Sequence, residues 1–292
     1  MSEKNPHLFC FGLGFSALAL AEICQKNGWR VSGTVRSAHK QEQLQMRGIT
    51  AHIYDENLPL LYPDAAFSGV THILISIPPN DSGDIVFQDY AEIINNLPHL
   101  EWLGYCSTTG VYGDHNGAWV DENSPTNPKH LRAKRRLMAE EQWLQNNKTT
   151  HIFRISGIYG PKRSALDSLK NGSAKRIDKP GHVFCRIHVD DIAQALFAST
   201  QNKTAGEIFN LADDNPAEQS EVIAYAAEIL HITPPALIKF ENADLSEMAR
   251  DFYSANRRVS SKKIKEKLGI KWLYPSYKEG LLHCLLRNAG NF

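Results

Sequence analysis

The chain alternates short, continuous apolar runs with stretches whose apolar positions recur every three to four residues. That is the signature of strands alternating with helices. The run His7-Leu8-Phe9-Cys10-Phe11 predicts a first strand, and the pattern Leu18–Asn27, ending at Gly28, predicts a first helix. Trp29–Val35 predicts a second strand, with a helix after Arg36-Ser37 reaching to about Arg47. Thr50–Tyr54 and Val70–Ile77 predict the third and fourth strands, the latter stopped by Pro78-Pro79. Ile85–Leu97 is amphipathic and helical, Trp102–Cys106 reads as a fifth strand, Lys129–Asn146 as a long charged helix and Thr150–Ile155 as a sixth strand. Apolar runs this continuous suit parallel strands covered on both faces. Alternation with helices therefore predicts an α/β fold, a doubly wound parallel sheet.

From Tyr159-Gly160-Pro161 the pattern turns irregular, and residues 162–184 are basic and punctuated by Gly and Pro. Arg186–Thr200 then reads as strand plus helix, and Glu207–Leu211 as a further strand. Ala217–His231 and Ser260–Leu268 predict helices of a smaller C-terminal lobe. The expected division is a dinucleotide-binding domain of residues 1–160 plus 186–212, and a substrate lobe of residues 161–185 plus 213–292. Asp190-Asp191 stands at a predicted helix start, where carboxylates can cap free N–H groups.

Charge changes the picture only by exclusion. Lys plus Arg (32) equals Asp plus Glu (32) in 292 residues, so no net field favours nucleic acid or an anionic membrane. No apolar run approaches the ~20 residues of a membrane span. The polar start, Met1 to Pro6, leads straight into the first strand and predicts no signal peptide. The five cysteines, Cys10, Cys24, Cys106, Cys185 and Cys284, lack paired spacing, which predicts reduced thiols and a cytoplasmic protein.

The first candidate chemistry follows the first strand at once. Gly12-x-Gly14-x-x-Ala17 between a strand and a helix is a dinucleotide-binding fingerprint. Gly12 allows the sharp turn, Gly14 lets backbone approach a pyrophosphate, and Ala17 is small enough for close helix–strand packing. The helix start at Phe15-Ser16 then offers N–H groups and a positive dipole end. Arg36 and Ser37 lie at the end of the second strand, Arg36 standing 24 residues after Gly12. An acidic residue there would favour NAD, whereas a cation and a hydroxyl suit the 2′-phosphate of NADP. The expected cofactor is NADP, with NAD as the other option, held by Gly12, Gly14, Phe15, Ser16, Arg36, Ser37, Ser76 and Ser107.

Ser107-Thr108-Thr109-Gly110-Val111-Tyr112-Gly113-Asp114, together with the glycine turn, resembles the extended short-chain dehydrogenase/reductase family. Phe153–Pro161, Arg186–Ala193, Asn210–Asp213, Asn256–Ser260 and Tyr274–Gly280 are similar to later elements of that family, in its order. The resemblance covers nearly the whole chain. It implies an NAD(P)-dependent epimerase, dehydratase or reductase with three working side chains: a Ser or Thr that orients the substrate oxygen, a Tyr that passes a proton, and a Lys four residues later. By the family's spacing, Thr108 takes the first place. Arg132 stands where the Tyr is expected and Arg136 where the Lys is. Arg does not deprotonate in proteins, so Arg132 cannot relay a proton as Tyr does. Arg136 can still hold a ribose hydroxyl or phosphate, or both can belong to a solvated helix face. The acidic pair of the family's dehydratases is replaced by Thr109 and Gly110, so a 4,6-dehydratase is not expected. The sequence thus reads as an atypical branch, in which Tyr112, Tyr159 or His188 does the proton work or the cofactor is bound without turnover.

The catalytic candidates are Thr108, Tyr112, Arg132 and Arg136, with Arg163 and Arg186 as receivers of an anionic substrate. His182-x-x-Cys185-x-x-His188-x-Asp190-Asp191 is not taken as a metal site, because strand alternation turns Cys185 away from the two histidines. The expected function is an NAD(P)-dependent oxidoreductase or epimerase on an anionic, sugar-like or nucleotide-linked small molecule. The alternative is a non-catalytic NAD(P)-binding, redox-sensing protein. The expected assembly state is monomer or homodimer, with no nucleic-acid or membrane partner.

Overall fold

In a computed structural model the described residues are 5–147, 149–202 and 206–288; Met1–Lys4 of the polar start lie outside them. The first half of the chain forms β1 (His7–Phe11), α1 (Phe15–Lys26), β2 (Arg30–Val35), α2 (Ala38–Gln45), β3 (Thr50–Ile53), α3 (Pro63–Ala66), β4 (His72–Ile75), α4 (Ile85–Asn95), β5 (Trp102–Thr108), β6 (Trp119–Val120) and α5 (Leu131–Asn146). The second half forms β7 (Thr150–Ile155), β8 (Gly157–Tyr159), α6 (Ala165–Lys170), β9 (Arg176–Asp178), β10 (Arg186–His188), α7 (Val189–Thr200), β11 (Glu207–Leu211), α8 (Gln219–Ile229), β12 (Leu237–Lys239), α9 (Glu247–Phe252), β13 (Arg258–Val259), α10 (Lys262–Leu268) and α11 (Tyr277–Asn288).

Seven strands make one parallel sheet in the order β11-β7-β5-β4-β1-β2-β3. β1, β4 and β7 are buried along their whole length, as strands covered on both faces must be, although β7 carries Thr150, His151 and Arg154 inside. The strand order reverses at β1, which pairs with β2 on one side and β4 on the other. Ligands of open α/β sheets sit outside the carboxyl ends of the strands at such a point. One face of the sheet carries the cluster Phe9, Phe11, Phe67, Tyr54, Tyr90 and Trp143. On α4, Asp84 accepts the Val86 and Phe87 N–H groups at 2.9 and 3.0 Å, an N-cap of the kind that starts a helix, and also accepts Trp143 Nε1 of α5 at 3.2 Å.

The chain divides into two compact units. Unit 1 comprises residues 1–108, 131–154 and 192–209, and unit 2 comprises residues 109–130, 155–191 and 210–292. Segment 109–130, expected with the first domain, groups by its contacts with unit 2. Unit 2 has its own core, in which Tyr159, Leu166, Val222, Ala226, Tyr277 and Leu281 pack together. No described helix is long and apolar enough to cross a membrane.

Candidate functional site

The glycine turn is built by three strands of unit 1. Gly12 follows β1 with φ +87°, a conformation that L side chains rarely adopt. A Cβ there would also come within 2.9 Å of Ile77 Cγ1 and 3.0 Å of Ser76 Oγ. The Gly12 N–H donates to Thr34 Oγ1 of β2 at 2.8 Å, and the Leu13 N–H to the Thr34 carbonyl at 2.8 Å. From the other side Ser76, one residue past β4, donates its hydroxyl to the Gly12 carbonyl at 2.6 Å and lies 3.1 Å from the Phe11 carbonyl. Gly14 is exposed, and a Cβ there would meet nothing within 4 Å. It is the N-cap of α1, and no side chain caps that helix. The first turn of α1 holds no acidic residue. The turn thus leaves open space in front of a positive helix end, which fits a pyrophosphate.

The other expected cofactor residues divide. Phe15 and Ser16 open α1 as expected. Arg36 is exposed directly after β2. Ser37 caps α2, its hydroxyl accepting the Lys40 N–H at 3.4 Å. Ser76 turns out to be the clamp on the glycine turn. Ser107 is buried and donates its hydroxyl to Glu140, a buried carboxylate that also forms an ion pair with Arg154 at 2.8 Å. The expectation that its side chain meets the cofactor is therefore corrected: the hydroxyl is committed inside unit 1. Thr34 was missed. Its signal was weak, one polar residue in a short strand that also holds Arg30 and Ser32.

The catalytic candidates divide as well. Thr108 is the last residue of β5 and half-buried, so the strand runs two residues past its expected end at Cys106. Arg132 is exposed on α5. Arg136 reaches back from α5 to donate to the Cys106 carbonyl, with its guanidinium 5.8 Å from the Tyr105 ring centroid. In unit 2, Tyr112 is fully buried and its hydroxyl donates to Asn210 Oδ1 at 2.8 Å. The proposed proton role of Tyr112 is corrected on that ground. Tyr159 is buried too, its hydroxyl 3.4 Å from the Ser276 carbonyl, and burial pushes its pKa up.

Arg163 is exposed. Arg186 spends one guanidinium nitrogen on the Phe184 and Ala217 carbonyls at 2.8 and 3.1 Å, and the other on Gln219 Oε1 at 3.1 Å. Its expected role as a receiver of anions is corrected, since most of its donors are engaged within unit 2. Beside it Asp213 is 2% exposed, accepts the Asn215 N–H at 3.2 Å with Oδ1, and leaves Oδ2 without a hydrogen-bond partner. Burial pushes its pKa up to about 8, against the opposing pull of the Asn215 N–H and of Arg186. Asp191 does not cap its own helix with its carboxylate as expected. Its two oxygens accept the Leu273 and Tyr274 N–H groups at 2.6 and 3.2 Å. His188 is fully buried, and burial beside His283 holds it neutral, its pKa brought down to about 3.

Against known structures, the chain is similar to a conserved protein of unknown function from Silicibacter pomeroyi DSS. The two share 41% identity over 97% of this chain and 99% of that one, with a TM-score of 0.90. Two further matches are a dTDP-glucose 4,6-dehydratase from Bacillus anthracis in complex with NAD and a UDP-glucuronic acid 4-epimerase from Bacillus cereus in complex with NAD. The first is 16% identical over 98% of this chain and 97% of that one, with a TM-score of 0.77. The second is 15% identical over 97% and 99%, with a TM-score of 0.74. The chain has the extended short-chain dehydrogenase/reductase fold. Within it, the chain and the Silicibacter pomeroyi protein belong to one family. No protein-family model matches the chain, and no curated protein does. The glycine turn follows β1, and Arg132 and Arg136 both lie on α5.

Proposed function

We propose that the chain is an NAD(P)-dependent oxidoreductase or epimerase, preferring NADP, that acts on an anionic, sugar-like or nucleotide-linked small molecule. It would belong to an atypical branch of its fold that works without the usual Tyr. One observation carries the reading: Thr34 and Ser76 hold the Gly12 turn from both sides, and α1 opens behind it with no side-chain cap. The same fold holds NAD in the Bacillus anthracis dehydratase and the Bacillus cereus epimerase, which supports a nicotinamide dinucleotide here. The exposed cation Arg36 after β2, with Ser37 beside it, supports a 2′-phosphate rather than a bare ribose.

When bound, the nicotinamide supplies or takes up hydride. The chain's own part is position and charge. The open start of α1 receives the pyrophosphate, Arg36 and Ser37 the 2′-phosphate, and Thr108 at the carboxyl end of β5 orients a substrate oxygen. Arg163, exposed in unit 2, is the cation proposed to meet an anionic substrate. Titration of NADPH and NADH against the purified protein tests the reading. Binding of NADPH with the lower Kd is expected, and failure of both to bind overturns it.

One observation favours a second reading. The Tyr112 hydroxyl is buried on Asn210 and Arg132 holds the usual Tyr position, so the described proton donors at the expected places are spent or cannot titrate. A protein that binds NADPH but never oxidises it above the spontaneous rate with sugar nucleotides would be the redox-sensing alternative.

A further inference from the structure

Unit 2 gathers two histidines and a carboxylate from distant parts of its sequence. His188 ends β10, Asp190 lies in the first turn of α7, and His283 projects from α11. One nitrogen of each ring and one carboxylate oxygen all lie within 4.8 Å of one another. Asp190 Oδ2 is 3.6 Å from His188 Nδ1 and 3.9 Å from His283 Nδ1. Ligand atoms on one tetrahedral zinc, each about 2.0–2.2 Å from the metal, stand roughly 3.3–3.6 Å apart. The two Asp190 separations lie within a few tenths of an ångström of that spacing.

We propose that His188, Asp190 and His283 form a binding site for a divalent transition-metal cation, Zn2+ by the chemistry of its donors. Two imidazoles and one carboxylate are a borderline-soft set that suits zinc over Mg2+ or Ca2+, which take oxygen ligands. Three protein ligands leave a fourth position for water or for a ligand atom.

The rings are held for this. Tyr274 stacks on His283 with centroids 4.7 Å apart and lies 4.2 Å from His188, while Tyr159 meets His188 edge-on at 5.2 Å. The side chain of His188 is fully buried, whereas Asp190 and His283 are 36% and 20% exposed, so a cation can enter from solvent on their side. The tautomer is also consistent. His188 Nδ1 accepts the Asp190 N–H at 3.2 Å, so that nitrogen carries the lone pair and Nε2 the proton. A metal on Nδ1 replaces that one long bond. Nε2–H then remains directed at Cys284 Sγ, 3.7 Å away, the kind of outer bond that orients a metal-bound imidazole.

Besides the lost Asp190 N–H bond, two further terms oppose the cation. The positive end of α7 is one, which the two first-turn carboxylates Asp190 and Asp191 offset. The other is the existing approach of His283 Nδ1 to His188 Nε2 at 3.4 Å, a hydrogen bond that suffices without metal and that binding must break.

The test uses tag-free full-length protein, stripped with chelator and dialysed against Zn2+ or, for spectroscopy, Co2+. About one equivalent of zinc per chain is expected by elemental analysis, with the intense visible absorption of tetrahedral cobalt. Asp190→Asn and His283→Ala, both at partly exposed positions, are each expected to weaken zinc binding roughly 100-fold or more. Their far-ultraviolet circular dichroism should match the unmodified protein. His182→Ala, at a buried histidine outside the cluster, should retain zinc. Absence of a stoichiometric equivalent, or zinc uptake unchanged in a folded Asp190→Asn/His283→Ala double variant, overturns the proposal. The second result would leave the His188–His283 contact as a hydrogen bond alone.

Discussion

The Ser76 hydroxyl donates to the Gly12 carbonyl at 2.6 Å. This contact joins the strand on one side of the switch point to the turn that follows the strand at its centre. Thr34 does the same from the other side, accepting the Gly12 N–H at 2.8 Å. Both polar groups of the Gly12 peptide region are thereby satisfied by side chains, so the turn keeps its shape without a ligand. A preformed turn loses less on binding than one that must be ordered by its ligand.

Ser76→Ala removes that clamp and leaves the Phe11 and Gly12 carbonyls without their hydroxyl donor. The expected cost is about 1–2 kcal/mol. If it falls on the cofactor complex, the NADPH Kd rises roughly 5- to 30-fold. Fluorescence titration beside a thermal melt separates the outcomes: a lower Tm with unchanged Kd would place Ser76 in the fold alone.

Gly14→Val should abolish cofactor binding and leave the protein folded. Beyond its chain neighbours, a Cβ at Gly14 meets nothing within 4 Å, so the branched side chain extends into the open space proposed for the pyrophosphate. Circular dichroism and an NADPH titration check both halves, and retained binding would contradict the fingerprint.

Arg36→Ala should narrow the preference for NADPH over NADH by roughly 10- to 150-fold, since a charge-assisted phosphate contact is worth roughly 1.5–3 kcal/mol. Equal affinities in the unmodified protein would sink the NADP assignment outright.

Much of this fold was legible in the chain because its strands are covered on both faces. β7 begins at Thr150 and ends at Ile155, as predicted, and β1 is apolar from Leu8 to Phe11. Apart from the 12-residue helix α11, the pieces that were not read are short and owe their form to partners distant in sequence. β9 pairs with β12 some 60 residues later, and α6 spans only Ala165–Lys170 behind a Ser164–Asp167 capping box. In the candidate site, the glycines were readable because their spacing is itself the function. Ser107 and Arg186 misled, because a polar residue at a strand end looks alike whether it faces a ligand or, like Ser107, a buried Glu140. His283 left no local trace, as it lies 95 residues from His188.

Glu140→Gln should destabilise the protein by about 3–5 kcal/mol, because it leaves the Arg154 guanidinium buried without its counter-charge. The side chains of the pair are only 1% and 5% exposed. Calorimetry of the single variants and of Glu140→Gln/Arg154→Met would check this. A double variant more stable than Glu140→Gln confirms that the lone charge is the cost, and three equal losses would refute it.

Asp213 gives the protein a pH dependence of unusual sign. Its pKa is 3.8 in an unfolded chain and about 8 in the folded one, raised by burial. Between those values the folded state holds the proton and the unfolded state has released it, so the unfolded state binds fewer protons and stability falls as pH rises. The contribution is fully present below the unfolded value and is lost as pH climbs through the folded one. Asn cannot ionise, so Asp213→Asn escapes this loss. The Tm of Asp213→Asn minus that of the unmodified protein should therefore grow steadily more positive from about pH 5 to about pH 9. Thermal melts of both proteins across that range measure it. A difference that does not change with pH would mean that Asp213 ionises alike in both states, and that the lone Oδ2 already has a partner in solution.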